Sequence, residues 1–449
     1  MKIYLVLSNF PDKDGEAIEV VSYEVMRLLC AAGHQVYVHV LIRDARNDFH
    51  TRKEAKIRSE LNSEIAAEIL PATYLNERVA NGDKWRARLD YIFTTIRSLP
   101  LLRRIPNAAL FPAMRVKSEL KATLHARKAD IILGIWSWES LAATYAIRGV
   151  PKFMYYGNPD HKPMEARLRY PELFGIPVSG IKYKINLMLL KMINKAREIQ
   201  HLSMMRKCEV TANNSLVDAE YYRKAGHPNS LYIQNMWPES NIGPIFGGRC
   251  DEGGRAKIVG SVGNLGATGN SFGLSFLGAR LAPRLEQSFG KNGIQIDVFG
   301  QGTPGKAVAP GLAHPSIQLR GWVEDIAAEI VDSCAFLVLT NVSGFIVGNT
   351  RILLAWSLGS CVIAHSDSVL SMPEIKHMEN ALLGNTVDEI ASLIEQAVSD
   401  SMLRAKIGKG GYDTYRKYYR SDVVVPVMLE KMKECVSVYR HGNSNRSTS

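Results

Sequence analysis

The chain has 449 residues, 46% hydrophobic and 22% charged, with a formal net charge of +11. This composition excludes a disordered or fibrous protein, leaves enough apolar material for two cores, and through its basic excess favours anionic partners. No apolar run reaches the length of a bilayer span and no Lys/Arg run is interleaved with aromatics, which argues against a membrane-crossing protein and a nucleic-acid platform.

The N-terminal M-K-I-Y-L-V-L-S-N-F is too short in its apolar part for a leader and reads as a first strand. After the loop P-D-K-D-G-E comes an amphipathic helix, A-I-E-V-V-S-Y-E-V-M-R-L-L-C-A-A, stopped by Gly33, and then the strand Q-V-Y-V-H-V-L-I. Strand, helix and strand in this arrangement form a βαβ unit, which requires a parallel sheet. Further strands are predicted within 129–139, 151–160 and 208–214, and one reaching Gln234–Glu239.

A second α/β series starts at A-K-I-V-G-S-V-G-N-L and continues through I-Q-I-D-V-F-G-Q-G, I-Q-L-R-G-W-V, C-A-F-L-V-L-T and C-V-I-A-H. The predicted architecture is α/β, with two doubly wound, Rossmann-like domains facing a cleft. The expected boundaries are a first domain over 1–240, a Gly-rich linker over 241–256 and a second domain over 257–405. Helices over 406–440 are expected to return toward the first domain, ahead of a disordered tail over 441–449.

The six cysteines are far apart and include no C-x-x-C pair, so a disulfide framework or zinc site is not expected and a reducing compartment is favoured. No acidic D-x-D-like pair stands at a strand end, so no metal is implied.

Three strand ends in the second series are rich in glycine: G-S-V-G-N-L-G-A-T-G-N, V-F-G-Q-G-T-P-G and G-F-I-V-G-N-T-R. Such loops serve turn geometry by themselves, but three on one sheet edge bring backbone N–H groups together and suit a diphosphate. Gly263, Asn264, Thr268, Gly300 and Gly302 are the candidate donors from the first two loops. In the third, Asn349 or Thr350 can cap a helix whose first turn holds Arg351. A cation at a helix N-terminus is disfavoured by the macrodipole unless an anion offsets it, and a guanidinium fork suits phosphate oxygens. The alternative is an exposed arginine paired with an acid.

R-I-L-L-A-W-S-L-G-S-C-V-I-A-H, followed by P-E-I and E-N-A-L-L and preceded by G-W-V-E-D, resembles the retaining glycosyltransferases of family 4. The likeness runs through Arg351, Ala355, Gly359 and Val362–Ala364. It is specific in the second domain and loose in the first, where Q-N-M-W-P-E resembles the family's N-G-V-D. It implies the GT-B fold, a nucleoside diphosphate sugar as donor, retention of anomeric configuration, and a donor role for Glu374. The chain departs from the family pattern in three places. The family's glutamate pair falls at Ile346 and Leu354, the loop after the first strand of the second domain lacks its basic residue, and a first-domain histidine falls at Gly157.

In the first domain, P-D-K-D-G-E resembles the family's acceptor loop, making Gly15 and Glu16 acceptor candidates. Asn158, Asp160 and His161 follow a strand end facing the cleft, with Asp160 and His161 suited to proton handling. Arg351, Asp160 and His161 are the catalytic candidates. Two basic, apolar stretches, 101–128 and 180–207, have the character of helices lying on an anionic membrane, or of core helices with a solvated basic face. The expected protein is therefore a metal-independent, cofactor-free glycosyltransferase of surface-polysaccharide synthesis. It would act on a glycan or lipid-linked acceptor, in the cytoplasm at the inner face of the membrane. An inactive partner subunit and a nucleotide-sugar epimerase are the alternatives.

Overall fold

The computed structural model describes residues 1–42, 48–75, 111–248, 255–342 and 344–447. The first sheet is built from β1 (Lys2–Leu7), β2 (Gln35–Ile42), β3 (Glu68–Ile69), β4 (Thr73–Tyr74), β5 (Ile131–Ile135), β6 (Lys152–Tyr156), β7 (Val210–Asn213) and β8 (Ser230–Tyr232). Its order is β3-β2-β1-β5-β6-β7-β8, with β4 also on β2, and each pairing is parallel. Helices α1 (Ala17–Ala31), α2 (Asp48–Glu64), α3 (Phe111–Arg127), α4 (Trp138–Thr144), α5 (Lys162–Arg169), α6 (Ile181–Met205) and α7 (Leu216–Lys224) connect these strands.

The second sheet, β9 (Ala256–Val262), β10 (Ile294–Phe299), β11 (Ile317–Gly321), β12 (Ala335–Val338), β13 (Val362–His365) and β14 (Leu382–Gly384), has the order β11-β10-β9-β12-β13-β14, again parallel. Its helices are α8 (Thr268–Phe276), α9 (Ala282–Phe289), α10 (Ile326–Val331), α11 (Thr350–Ser357), α12 (Ser368–Ser371) and α13 (Val387–Ser399). Both sheets reverse their winding at one point, β1/β5 in the first and β9/β12 in the second. In open parallel sheets that crevice beyond the strand ends is where ligands bind.

Each sheet is covered on both faces, which explains the continuous apolar strands. In β1, Ile3, Leu5 and Leu7 enter one core layer while Tyr4 and Val6 enter the other. The chain crosses between domains twice, side by side. The Trp237 N–H donates to the Tyr419 carbonyl at 3.0 Å, and the Ser421 N–H donates to the Trp237 carbonyl at 3.2 Å.

Helix α14 (Ser401–Tyr418) stays with the second domain, where Gly408 and Gly411 let it approach Gly359 and Trp356 closely. Only the last helix, α15 (Ser421–Ser447), enters the first-domain core, through Val424, Val425, Met428 and Met432. It continues to Ser447, through the segment whose composition suggests a tail.

One expectation needs correction. Cys334 is disulfide-bonded, whereas Cys30, Cys208, Cys361 and Cys435 are free. Sequence spacing rules out close C-x-x-C pairs but does not bear on distant cysteines that folding brings together. In the basic stretch 101–128, residues 101–110 and the side chains of 111–118 lie outside the described residues. The remainder is a core helix, with Leu120 and Leu124 buried and Arg127 paired with Glu68. No described helix is long and apolar enough to cross a membrane.

Candidate active site

At the second switch point the three glycine loops meet. Gly263 follows β9 with φ +104°, and its N–H donates to the Phe299 carbonyl at 3.1 Å. A Cβ on Gly300 would stand 1.8 Å from the Gly263 carbonyl oxygen, and one on Gly302 3.0 Å from Asn264 Oδ1. Glycine at 300 is therefore a packing requirement. Asn264 shapes the loop: its Oδ1 accepts from the Gly266 N–H at 3.0 Å and its carbonyl accepts from Asn270 at 2.6 Å.

The third loop reaches the same edge. Asn349 is the N-cap of α11, which decides between it and Thr350; it accepts from the Arg351 N–H at 3.3 Å and donates to Thr340 Oγ1 at 2.7 Å. Thr350 is the first residue of the helix. The Arg351 guanidinium lies against Gly263, with Nη2 3.2 Å from the position of a Cβ there. Burial pushes it down to about 10. Among the described residues no carboxylate pairs with it. The exposed, acid-paired arginine is thus not what the fold builds.

Thr268, at the start of α8, accepts from Arg167 Nε of the first domain at 2.9 Å. Gly348 likewise abuts Asn214 of the first domain. Glu374 stands where the two domains join. Its carboxylate accepts from Tyr232 and Gln234, each at 3.0 Å, and from Tyr419, which ties it to the domain junction.

Among the described residues the first domain carries a smaller and a larger cavity. The smaller, about 390 Å³, lies beyond β1 and β5 and is lined by Asn9, Glu19, Lys53, Trp136, Glu139 and Asp160 among others. Asp160 accepts from the Tyr156 hydroxyl at 2.5 Å and lies 2.9 Å from His201 Nδ1. The larger, about 720 Å³, lies between α5, α6 and α7 and extends to Gly344 and Ile346 of the second domain. His161 belongs to this one. It is buried, its Nδ1 has no partner, and burial pushes it down to about 4.

Adjacent in sequence, Asp160 and His161 therefore serve different cavities. Asn158, Gly15 and Glu16 line neither. Gly15 has a supporting role, since a Cβ there would stand 2.1 Å from Glu19 Oε2. That carboxylate accepts from the Glu16 N–H at 3.0 Å, and its other oxygen takes Lys53 at 2.5 Å. From this helix start it is Glu19 that lines the smaller cavity, beside Glu139 and Asp160, and Glu16 is exposed.

Residues 256–400 match the family model described as Glycosyl transferases group 1. No curated protein matches the chain by sequence. Solved structures that share the fold include sucrose-phosphate synthase from Thermosynechococcus elongatus, at TM-score 0.62 and 12% identity over 98% of this chain and 100% of that one. The Anabaena protein HepE, in complex with UDP and glucose, aligns at TM-score 0.58 and 12% identity, covering 96% and 99% of the two chains. The α,α-trehalose 6-phosphate synthase of Burkholderia multivorans aligns at 0.58 and 12%, covering 98% and 99%. The two-domain architecture is that of GT-B glycosyltransferases.

Arg167, Glu19 and Trp136 belong to none of the sequence motifs that mark the site. W-S-W-E at a strand end was a usable signal for the last. Trp136 adopts φ +42°, uncommon for a bulky residue, and its buried indole N–H has no partner. Arg167 had no local signal, because its role depends on a residue 101 positions away.

Proposed function

We propose that the protein transfers a sugar from a nucleoside diphosphate sugar to a glycan or lipid-linked acceptor held by the first domain. The observation that carries this reading is Arg351, a half-buried residue whose guanidinium has no carboxylate partner among the described residues and is set at a helix start against the glycine loops. A cation so placed is costly until an anion arrives. The HepE complex with UDP and glucose supports a nucleotide-sugar ligand for this fold.

In the proposed reaction the bond from the sugar's anomeric carbon to the diphosphate breaks as an acceptor oxygen bonds to that carbon. The acceptor's proton leaves to a base. Arg351, the loop N–H groups and the starts of α8 and α11 meet the charge on the departing diphosphate without a metal ion. Retention is proposed from the likeness to family 4.

Ile346 occupies the position of the family's first glutamate and lines the larger cavity, where Glu165, Glu198 and Asp218 stand opposite on the first domain. These carboxylates are suited to sugar hydroxyls in place of the missing pair. The smaller cavity, with Trp136, Trp138, Glu19 and Asp160, has the mixture of aromatic faces and carboxylates that suits an acceptor glycan.

Helix α6 exposes Ile181 (76%), Ile185 (50%) and Met188 (56%) beside Lys182, Lys184 and Lys191. That surface supports peripheral docking on the anionic inner face of the cell membrane, where surface-polysaccharide acceptors are lipid-linked.

Thermal stabilisation by a panel of nucleoside diphosphates and their sugars tests the reading. Stabilisation by one base, lost in Arg351→Ala, is the expected result. No stabilisation by any of them at millimolar ligand overturns it in favour of an inactive partner subunit.

A further inference from the structure

The loop after β9, 263–271, carries no basic residue, so half of the glycine edge has no cation of its own. The fold brings one from the other domain. Helix α5 lies between the larger cavity and the second domain. On one side His161, Glu165 and Arg169 line the cavity. On the other, Ala166 packs with Phe272 and Phe345, and Tyr170 meets the Phe272 ring edge-on at 5.3 Å. This apolar contact fixes α5 over the start of α8.

Arg167 projects from the same helix. Its Nε donates to Thr268 Oγ1 at 2.9 Å, and its guanidinium carbon sits 5.3 Å from the centre of the Phe174 ring. Among the described residues no carboxylate pairs with it, while its neighbour Arg169 on the cavity side is paired with Glu165. One N–H of the fork thus serves positioning, and among the described residues the terminal nitrogens have no protein acceptor. Thr268 is the first residue of α8, and Gly269 beside it touches Thr340, which in turn holds the Asn349 cap of Arg351's helix.

We infer that Arg167 is a phosphate-contacting residue supplied across the domain cleft, which completes with Arg351 a two-arginine clamp on the donor diphosphate. The inference rests on the donor-site reading above. Thr268 is the positioning residue that aims the fork. Because the clamp needs both domains, donor binding and domain closure are one event in this protein. A donor that reaches the glycine loops finds its second cation only when α5 is docked on α8.

The test is calorimetric titration of the full chain with UDP, GDP, ADP and inorganic pyrophosphate, alongside the free nucleosides. The variants are Arg167→Ala, Arg167→Lys, Thr268→Val and Arg351→Ala. Loss of charge-assisted hydrogen bonds to phosphate is expected to weaken the bound diphosphate by on the order of tenfold to a hundredfold in Arg167→Ala. Nucleoside affinity should stay unchanged, Arg167→Lys should recover part of the loss, and Thr268→Val should show a smaller one.

Should Arg167→Ala not fold, Arg167→Gln provides the same comparison with a neutral side chain. Unchanged diphosphate affinity in the Arg167 variants, with loss in Arg351→Ala, overturns the inference and leaves the donor site standing. Tighter binding in Arg167→Ala overturns it too, and would make α5 an obstruction. Retention of affinity in Arg351→Ala, or no diphosphate binding by the unaltered chain, removes the donor-site reading itself.

Discussion

Nη2 of Arg351 lies 3.2 Å from the point where a side chain on Gly263 would begin, so the two residues share one space at the edge of the second sheet. A methyl group at 263 would press on the guanidinium, and φ +104° already disfavours any side chain there. Gly263→Ala is therefore expected to cost about 1–3 kcal/mol of stability and to displace Arg351. Nucleoside diphosphate affinity should fall with it by on the order of tenfold. Chemical denaturation and calorimetric titration measure the two effects, and unchanged affinity would show that Arg351 has room to move.

Glu374 accepts from Tyr232, Gln234 and Tyr419 where the two domains join. Its removal in Glu374→Ala takes a shared acceptor from Tyr232, Gln234 and Tyr419, the last among the largest fully buried side chains. Each stranded group costs about 1–3 kcal/mol, so the midpoint of thermal unfolding should fall by several degrees while diphosphate affinity changes little. Lost affinity at unchanged stability would support a donor role for Glu374.

Burial holds His39 and His161 down to about 4. Their ordinary value is about 6.5, so between these limits the unfolded chain binds more protons than the folded one. The stabilisation from keeping them neutral is complete above about pH 6.5 and is lost as pH falls toward about 4, by up to about 3 kcal/mol per histidine. Denaturation midpoints measured across this window should fall with pH, and His39→Gln should flatten the slope. An unaltered chain whose stability is level through the window contradicts the assignment.

The exposed apolar and basic half of α6 should bind anionic vesicles in a salt-sensitive way. Lys182, Lys184 and Lys191 each contribute about 1 kcal/mol near such a surface, so replacing all three with Glu should abolish co-sedimentation. Equal partition of the unaltered chain onto neutral and anionic vesicles would argue against membrane docking.

The sequence by itself determined the two parallel sheets, their glycine-bounded strand ends and the capped helix that carries Arg351. Each of these is a local property. Apolar β-branched runs mark buried strands, Gly33 and Gly263 take the positive φ their turns require, and Asn349 caps the helix that follows it. Only the tertiary structure decided which charges meet. It turned Asp160 and His161 to different cavities, tied Glu374 to the domain junction, put Glu19 at the smaller cavity, and set Arg167 beside Thr268. Periodicity describes how one element repeats, whereas these pairings depend on where the chain crosses between domains. Trp237, Tyr419 and Ser421 establish that crossing through backbone hydrogen bonds roughly 180 residues apart in sequence.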